Sequence, residues 1–274
     1  MHQILRIIIC LALLSTVAFG QTAARARAEL GSQTARAGFK NEDEIRDKFN
    51  NWRLDEDARV WLAAMNYRLN DIESVTAAKP HGEKADVEVS VKTRQGERKE
   101  GISIKLVSSA TGFNQIDKRW LSTYAKKWKM PARVETALKY FVGETPPYKP
   151  SRSENRMYLN ELDPADQKAV VDFFTAKKDE IVSDLFEGDG VHAAGWVMVA
   201  LKASDKPQWA LRSSSETIKF FSEGPVVLTR GGSLKIGRIT MQRKGGDGGR
   251  DTAKMLQFKI NPALLIRSPK PLGQ

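Results

Sequence analysis

Cysteine is almost absent from the 274-residue chain. The one copy, Cys10, excludes any disulfide within the chain and any cysteine-based metal site. Histidine is nearly as scarce. His2, His81 and His192 are too scattered to form a metal cluster, and no Ser/His/Asp hydrolase pattern accompanies them. Acids are outnumbered, 33 Asp and Glu against 44 Lys and Arg, which leaves a net charge of +11. A surplus of that size suits a polyanionic partner, nucleic acid or an anionic membrane surface, and does not choose between them. There is no internal repeat and no low-complexity tract. Glycines are grouped at Gly245-Gly246-Asp247-Gly248-Gly249, but no Lys-Ser/Thr pair follows at the P-loop spacing. The main apolar run, Ile7 to Phe19, is too short for a comfortable membrane span.

Hydrophobic residues, at 41%, can supply a core for one large domain. The N-terminus reads as a secretory signal. His2 and Arg6 form a short n-region, Ile7 to Phe19 the apolar stretch, and Ala18-Phe19-Gly20 a small-residue cleavage site. Ala23 to Ala37 is small, basic and weakly periodic, a lead-in to the first helix. The chain divides into a signal-like extension, 1–28, and one domain, 29–274.

Asp86 to Lys118 organises that domain. Val87, Val89 and Val91 alternate with Asp86, Glu88 and Ser90. Ile102, Ile104 and Leu106 alternate with Ser103 and Lys105. Period two marks half-buried strands, and the charged stretch around Gly96 marks a hairpin turn. A turn centred on Gln95 and Gly96 sets Asp86 opposite Lys105, with Asp86, Glu88, Ser103 and Lys105 on one face. A carboxylate beside a lysine at strand ends suits a metal-dependent phosphodiesterase, because the carboxylate holds a hard cation and the lysine stabilises phosphate charge. The same polar face also fits the solvated side of an ordinary antiparallel sheet.

Asn41-Glu42-Asp43-Glu44 reads as an Asn-capped helix start, with Ile45, Phe49 and Trp52 on one side, where Glu42 and Glu44 also fit as acids that only complement the helix N-terminus. A second helix is expected over Asp55 to Met65, with Val60, Trp61 and Ala64 inward. A third is expected over Phe113 to Lys129, starting with Asn114, Gln115 and Lys118. Those polar residues serve either as a helix cap or as groove contacts. Ala132 to Val142 is a helix closed by Gly143, and Asp163 to Phe186 is one long helix. Strands are expected at Gly195 to Leu201, Trp209 to Arg212, Val226 to Arg230, Leu234 to Arg243 and Met255 to Lys259. Gln242, Arg243 and Lys244 precede the glycine loop, where backbone can approach a phosphate. That loop reads equally as a solvated one. Gln257 and Lys259 share one strand face and can reach one groove.

Asp86…Ser103-Ile104-Lys105 resembles a degenerate PD-(D/E)XK nuclease motif. With Gly38-Phe39-Lys40-Asn41-Glu42, Gly112-Phe113-Asn114-Gln115-Ile116-Asp117-Lys118, Gly143-Glu144-Thr145-Pro146-Pro147-Tyr148, Gln242-Arg243-Lys244-Gly245-Gly246-Asp247 and Met255-Leu256-Gln257-Phe258-Lys259, the chain is similar to the HinP family of type II restriction endonucleases from about Glu29 onward. The resemblance implies an α/β fold, a restriction-endonuclease-like central mixed sheet flanked by helices. It implies Mg²⁺-dependent hydrolysis of double-stranded DNA at GCGC. Asp86 and the Ile104 carbonyl would bind the metal, and Lys105, Ser103 and Glu42 would complete the catalytic set. Gln115, Lys118, Gln242, Arg243, Lys244, Gln257 and Lys259 would contact DNA. A companion cytosine methyltransferase, a possible homodimer, no stable membrane association and a cytoplasmic location complete the expectation. The motif position that is usually acidic in that superfamily is Ser103, a weaker metal ligand. Against the nuclease stand a catalytically weak DNA-binding relic and an exported basic protein that binds polyanions. The second takes the signal-like extension at face value, whereas a mis-assigned start would leave residues 1–28 untranslated.

Overall fold

In a computed structural model of the chain, residues 36–80, 83–188, 193–246 and 250–268 are described, with Glu29 and Gln33 ahead of them. The signal-like extension, all three histidines and residues 247–249 of the glycine loop lie outside the described residues.

In chain order the elements are α1 (residues 36–50), α2 (Glu56–Ala64), β1 (Ile72–Ala78), β2 (Val87–Thr93), β3 (Gly96–Val107), β4 (Asn114–Arg119), α3 (Leu121–Lys127), α4 (Ala132–Val142), α5 (Pro164–Ala176), α6 (Lys178–Glu187), β5 (Trp196–Leu201), β6 (Gln208–Ser213), α7 (Ser214–Ser222), β7 (Val226–Leu228), β8 (Leu234–Ile236), β9 (Ile239–Arg243), β10 (Leu256–Ile260) and α8 (Ala263–Arg267). Two five-stranded sheets result, in the orders β1-β2-β3-β5-β6 and β4-β10-β9-β8-β7. The first is mixed, because β3 and β5 run parallel while its other pairs are antiparallel. The second is antiparallel throughout. A parallel pair needs a long crossover, and here that crossover carries β4 and helices α3 to α6.

The first sheet is covered on both faces. Val87, Val89, Val91, Ile102 and Ile104 pack with Ile45, Phe49, Trp61 and Leu62 of α1 and α2 in one core. Val107, Val197 and Val199 point the other way into a larger core with α3 to α7 and the second sheet. Alternation on β2 is therefore legible because only its Val87-Val89-Val91 face is fully buried.

The hairpin forms as expected, but its register is two residues different. Thr93 pairs with Gly96 and Val87 with Ile102, so the turn is Arg94-Gln95 and Asp86 comes level with Ser103, not Lys105. Gly96 takes φ 132°, which a side chain would oppose. A shift of two preserves every face, so Asp86, Ser103 and Lys105 still share one side.

Other boundaries moved. Asn41 is inside α1, one and two turns before the buried Ile45 and Phe49, and is itself only 2% exposed, so it is no cap. The capping role belongs to Asp55 on α2, which accepts from Ala58 N at 2.9 Å, and Val60 of that helix points outward. The long helix expected to Phe186 breaks at Lys177, where φ −103° and ψ 11° separate α5 from α6. α4 ends as expected on Gly143 in the left-handed region, φ 83°.

Candidate active site and reading face

Asp86 ends the connection into β2, and β3 carries Ser103, Ile104 and Lys105 beside it. Asp86 Oδ2 accepts from Ile104 N at 2.6 Å and from Ser103 Oγ at 3.4 Å. Lys105 Nζ donates to Ser103 Oγ at 3.0 Å and to Ile104 O at 3.1 Å, and stands 3.9 Å from Asp86 Oδ2. The two-residue register change thus still brings the carboxylate and the ammonium together, because Lys105 leans back along its strand. Asp86, with a side chain 29% exposed, is the more open of the two, against 15% for Lys105.

α1 supplies Glu42. Its carboxylate meets Lys79 Nζ at 3.0 Å. Burial pushes the Glu42 carboxyl up, and the nearby Asp86 charge adds to that, while the Lys79 hydrogen bond and the Lys105 charge pull it down. Glu42 is therefore in the field of both central residues. Lys79 is not legible in the sequence as a site residue, since it lies just past β1, a strand with only two buried positions. Among the described residues, no three His, Cys, Asp or Glu side chains cluster as a metal cage. The donor set is all oxygen: the Asp86 carboxylate, the Ile104 carbonyl, the Ser103 hydroxyl and Glu42 nearby. That chemistry fits a hard cation such as Mg²⁺, which takes one or two carboxylates and completes its shell with water and phosphate.

The stretch Asn114 to Arg119, expected to start a helix, is the edge strand β4 of the second sheet. Gln257 of β10 pairs with Lys118 on one side and Gln242 of β9 on the other. Lys259 pairs with Gln115 and Thr240. A bulge at Ile116 makes this possible, because residues 115 and 118, three apart, would otherwise face opposite ways. Ile116 and Asp117 turn into the core, and Gln115 and Lys118 both turn to the Gln257–Lys259 face. Five of the seven expected DNA contacts therefore line one polar sheet face, with Gln115 exposed, Lys118, Gln242 and Lys259 half-buried, and Gln257 only 3% exposed. Arg243 is not on it. It sits opposite Leu256 and donates from Nε to Val142 O at 2.8 Å, closing the end of α4. Burial, then the neighbouring Arg156, pushes its guanidinium down. Lys244 lies past the strand end, its backbone N–H bonded to Met255 O.

Behind this polar sheet face, β4, α3 and α6 meet in a buried polar joint. Arg119 spans Asp117 at 2.6 Å and Asp184 at 3.1 Å. Asp184 also accepts from Trp128 Nε1 at 2.9 Å and pairs with Lys127. Tyr124 donates to Asp117 at 3.2 Å. From the segment leading into Asp86 comes Lys84, whose Nζ donates to Ile116 O at 2.9 Å and to Leu185 O, 4.0 Å from Asp117. Burial pushes the Lys84 ammonium down to about 8. Its place two residues before Asp86 is the one sequence signal that could have singled it out.

The profile of the R.HinP1I restriction endonuclease family matches residues 65–266. Among solved structures, the fold is similar to that of restriction endonuclease MspI in complex with its cognate DNA. The TM-score is 0.58 at 13% identity, over 80% of this chain and 87% of that one, a likeness of fold. No curated protein sequence matches the chain at a significant level.

Proposed function

Because the chain belongs to the R.HinP1I restriction endonuclease family, we propose that this type II restriction endonuclease hydrolyses duplex DNA at GCGC with Mg²⁺. The observation that carries the chemistry is the contact set of Asp86, Ser103, Ile104 and Lys105 at the head of one hairpin. The Asp86 carboxylate and the Ile104 carbonyl would hold the cation, with Glu42 on its flank. A bound Mg²⁺ supplies charge to the scissile phosphate and lowers the pKa of a water. Lys105 stabilises the charge that develops on the phosphate and orients the attacking water. Ser103 holds the Lys105 ammonium where an acidic side chain would instead add a ligand. A nicking assay on plasmid with Mg²⁺ tests this: mapped cuts at GCGC support it, and specific binding with no cutting leaves a relic. A companion cytosine methyltransferase protects the host sites, and the enzyme acts in the cytoplasm, as a homodimer where both strands are cut at once. Among the described residues no helix is long and apolar enough to cross a membrane.

The polar sheet face reads the bases. A lysine donates to guanine O6 and N7 and a glutamine amide bonds a base edge, which suits a G·C-only site. In Ca²⁺, to block cleavage, Gln257→Ala and Lys259→Ala each lose about 1–3 kcal/mol of discrimination between a GCGC duplex and a scrambled one. For Gln257→Ala the salt slope stays nearly unchanged, because no phosphate contact is lost. Equal losses on both duplexes would make these residues backbone anchors instead.

Residues 1–28 are dispensable for this activity. A protein beginning at Glu29 is expected to be soluble and to cut as fast as the longer form. A fold obtained only with the longer form would show that the extension belongs to the domain.

A further inference from the structure

We infer that Lys84 is a positioning residue that couples the reading strand to the catalytic carboxylate. The inference rests on the proposed nuclease function and adds to it a route from base contact to chemistry. Lys84 leaves the same segment as Asp86, two residues upstream, and does not turn toward the solvent. Its ammonium is inserted between β4 and the last turn of α6, donating to Ile116 O and Leu185 O beside Asp117. Ile116 is the bulge residue that turns Gln115 and Lys118 to the reading face. Any shift of β4 on meeting a base edge therefore pulls directly on the Lys84 side chain.

The other end of the lever is stiff. Gly188 at the end of α6 lies against Lys84, and a Cβ there would stand 2.7 Å from Lys84 Cβ. Ala85 is buried, and its Cβ is 3.2 Å from where a Cβ on Gly101 would stand, so residues 84 to 86 cannot slide independently of β3. The Asp86 amide is bonded to Ile102 O at 2.9 Å, and its carboxylate to Ile104 N. The far side of the β4–α6 joint is clamped by Arg119 between Asp117 and Asp184. Among the described ion pairs and hydrogen bonds, Lys84 is the side chain that joins the Asp86 segment to this joint. A lysine suits the task, since a flexible stem carrying three donors can satisfy two carbonyls from different elements.

The test uses the full chain and the variant Lys84→Met, which keeps the apolar stem and removes the donors. The cognate duplex is held at saturating enzyme, and single-turnover cleavage in Mg²⁺ is set against binding in Ca²⁺. Both are read at a temperature where circular dichroism shows the variant folded. Misplacement of the carboxylate should lower the cleavage rate by on the order of 10- to 100-fold. Affinity for the cognate duplex should change less than about threefold, because the reading face is intact. Lys84→Arg, which keeps charge and donors, should recover a substantial part of the rate. Rate and affinity falling together, or a rate that falls only with the folded fraction, would reduce Lys84 to a structural strut and overturn the coupling. An inactive wild-type protein would instead count against the nuclease function itself. In that case the coupling is read from the Ca²⁺ concentration needed for cognate binding, which Lys84→Met should raise, and an unchanged Ca²⁺ midpoint would overturn it.

Discussion

Asp86→Ala and Lys105→Ala each lower cleavage of a cognate duplex by at least on the order of 10²–10³-fold, with the circular dichroism spectrum unchanged. The two side chains are 3.9 Å apart, and neither belongs to the apolar cores, so neither truncation opens a core cavity. Asp86→Ala removes the one carboxylate that contacts Ser103, Ile104 and Lys105 together, and with it the proposed anchor for a hard cation. Lys105→Ala removes the positive charge beside that carboxylate while leaving the carboxylate in place. The two variants should therefore separate in binding. With Ca²⁺ present, Lys105→Ala retains cation-dependent affinity for DNA and Asp86→Ala loses it. Near-normal cleavage by either variant would move the chemistry away from this hairpin. Ser103→Ala supplies the graded comparison. The Ser103 hydroxyl meets Lys105 Nζ at 3.0 Å, so its loss loosens the ammonium without removing charge, and the rate falls less than in Asp86→Ala or Lys105→Ala.

The hairpin is readable because burial falls on alternate residues of β2 and on the facing part of β3. Faces depend on parity alone, which is why Asp86, Ser103 and Lys105 stay on one side through a register error of two. β4 is not readable. Ile116, Trp120, Leu121 and Tyr124 carry helical spacing, yet the first half of that run is a strand whose bulge displaces one residue and so mimics a helical stripe. Propensity gives way there to pairing with β10, a partner about 140 residues away that no local pattern reveals. Arg243 misleads for a related reason. Its neighbours Gln242 and Lys244 are polar, but β9 alternates, and residue 243 falls on the core side opposite Leu256, where the open carbonyls at the end of α4 receive it. α7 and β1 are absent from the expectation. β1 carries Glu73, Ser74 and Thr76 on a strand whose buried positions are only Ile72 and Val75, so its apolar signal is thin. Glu42 and Lys79 show the limit for sites. Their contact joins α1 to the chain just after β1, and only the folded sheet brings that pair into the field of Asp86.

Asp184→Ala should be the most destabilising single change outside the apolar core, by about 3–5 kcal/mol. The side chain is 6% exposed and holds three groups at once: Arg119 at 3.1 Å, Trp128 Nε1 at 2.9 Å, and Lys127. Arg119 keeps Asp117 after the change, so the loss does not come chiefly from that pair. It comes from a buried indole N–H left without its acceptor and from cations left facing a joint with one carboxylate fewer. The surroundings cannot relax to fill the gap, because Trp128 stacks on Tyr124 at 4.5 Å and meets Phe258 at 5.7 Å. Asp184→Asn preserves an acceptor for the indole and should lose less. The control is Asp172→Ala. That residue's carboxylate meets Lys168 at 2.5 Å, a closer approach than the Arg119–Asp184 contact, but with the Lys168 and Asp172 side chains 75% and 59% exposed. Solvent screens such a pair, and its removal should change stability by less than about 1 kcal/mol. Urea unfolding of the three variants measures all of this. A loss at Asp184→Ala no larger than at Asp172→Ala would mean that the joint behind the polar sheet face is solvated, and that β4 is held in place by its pairing with β10 alone.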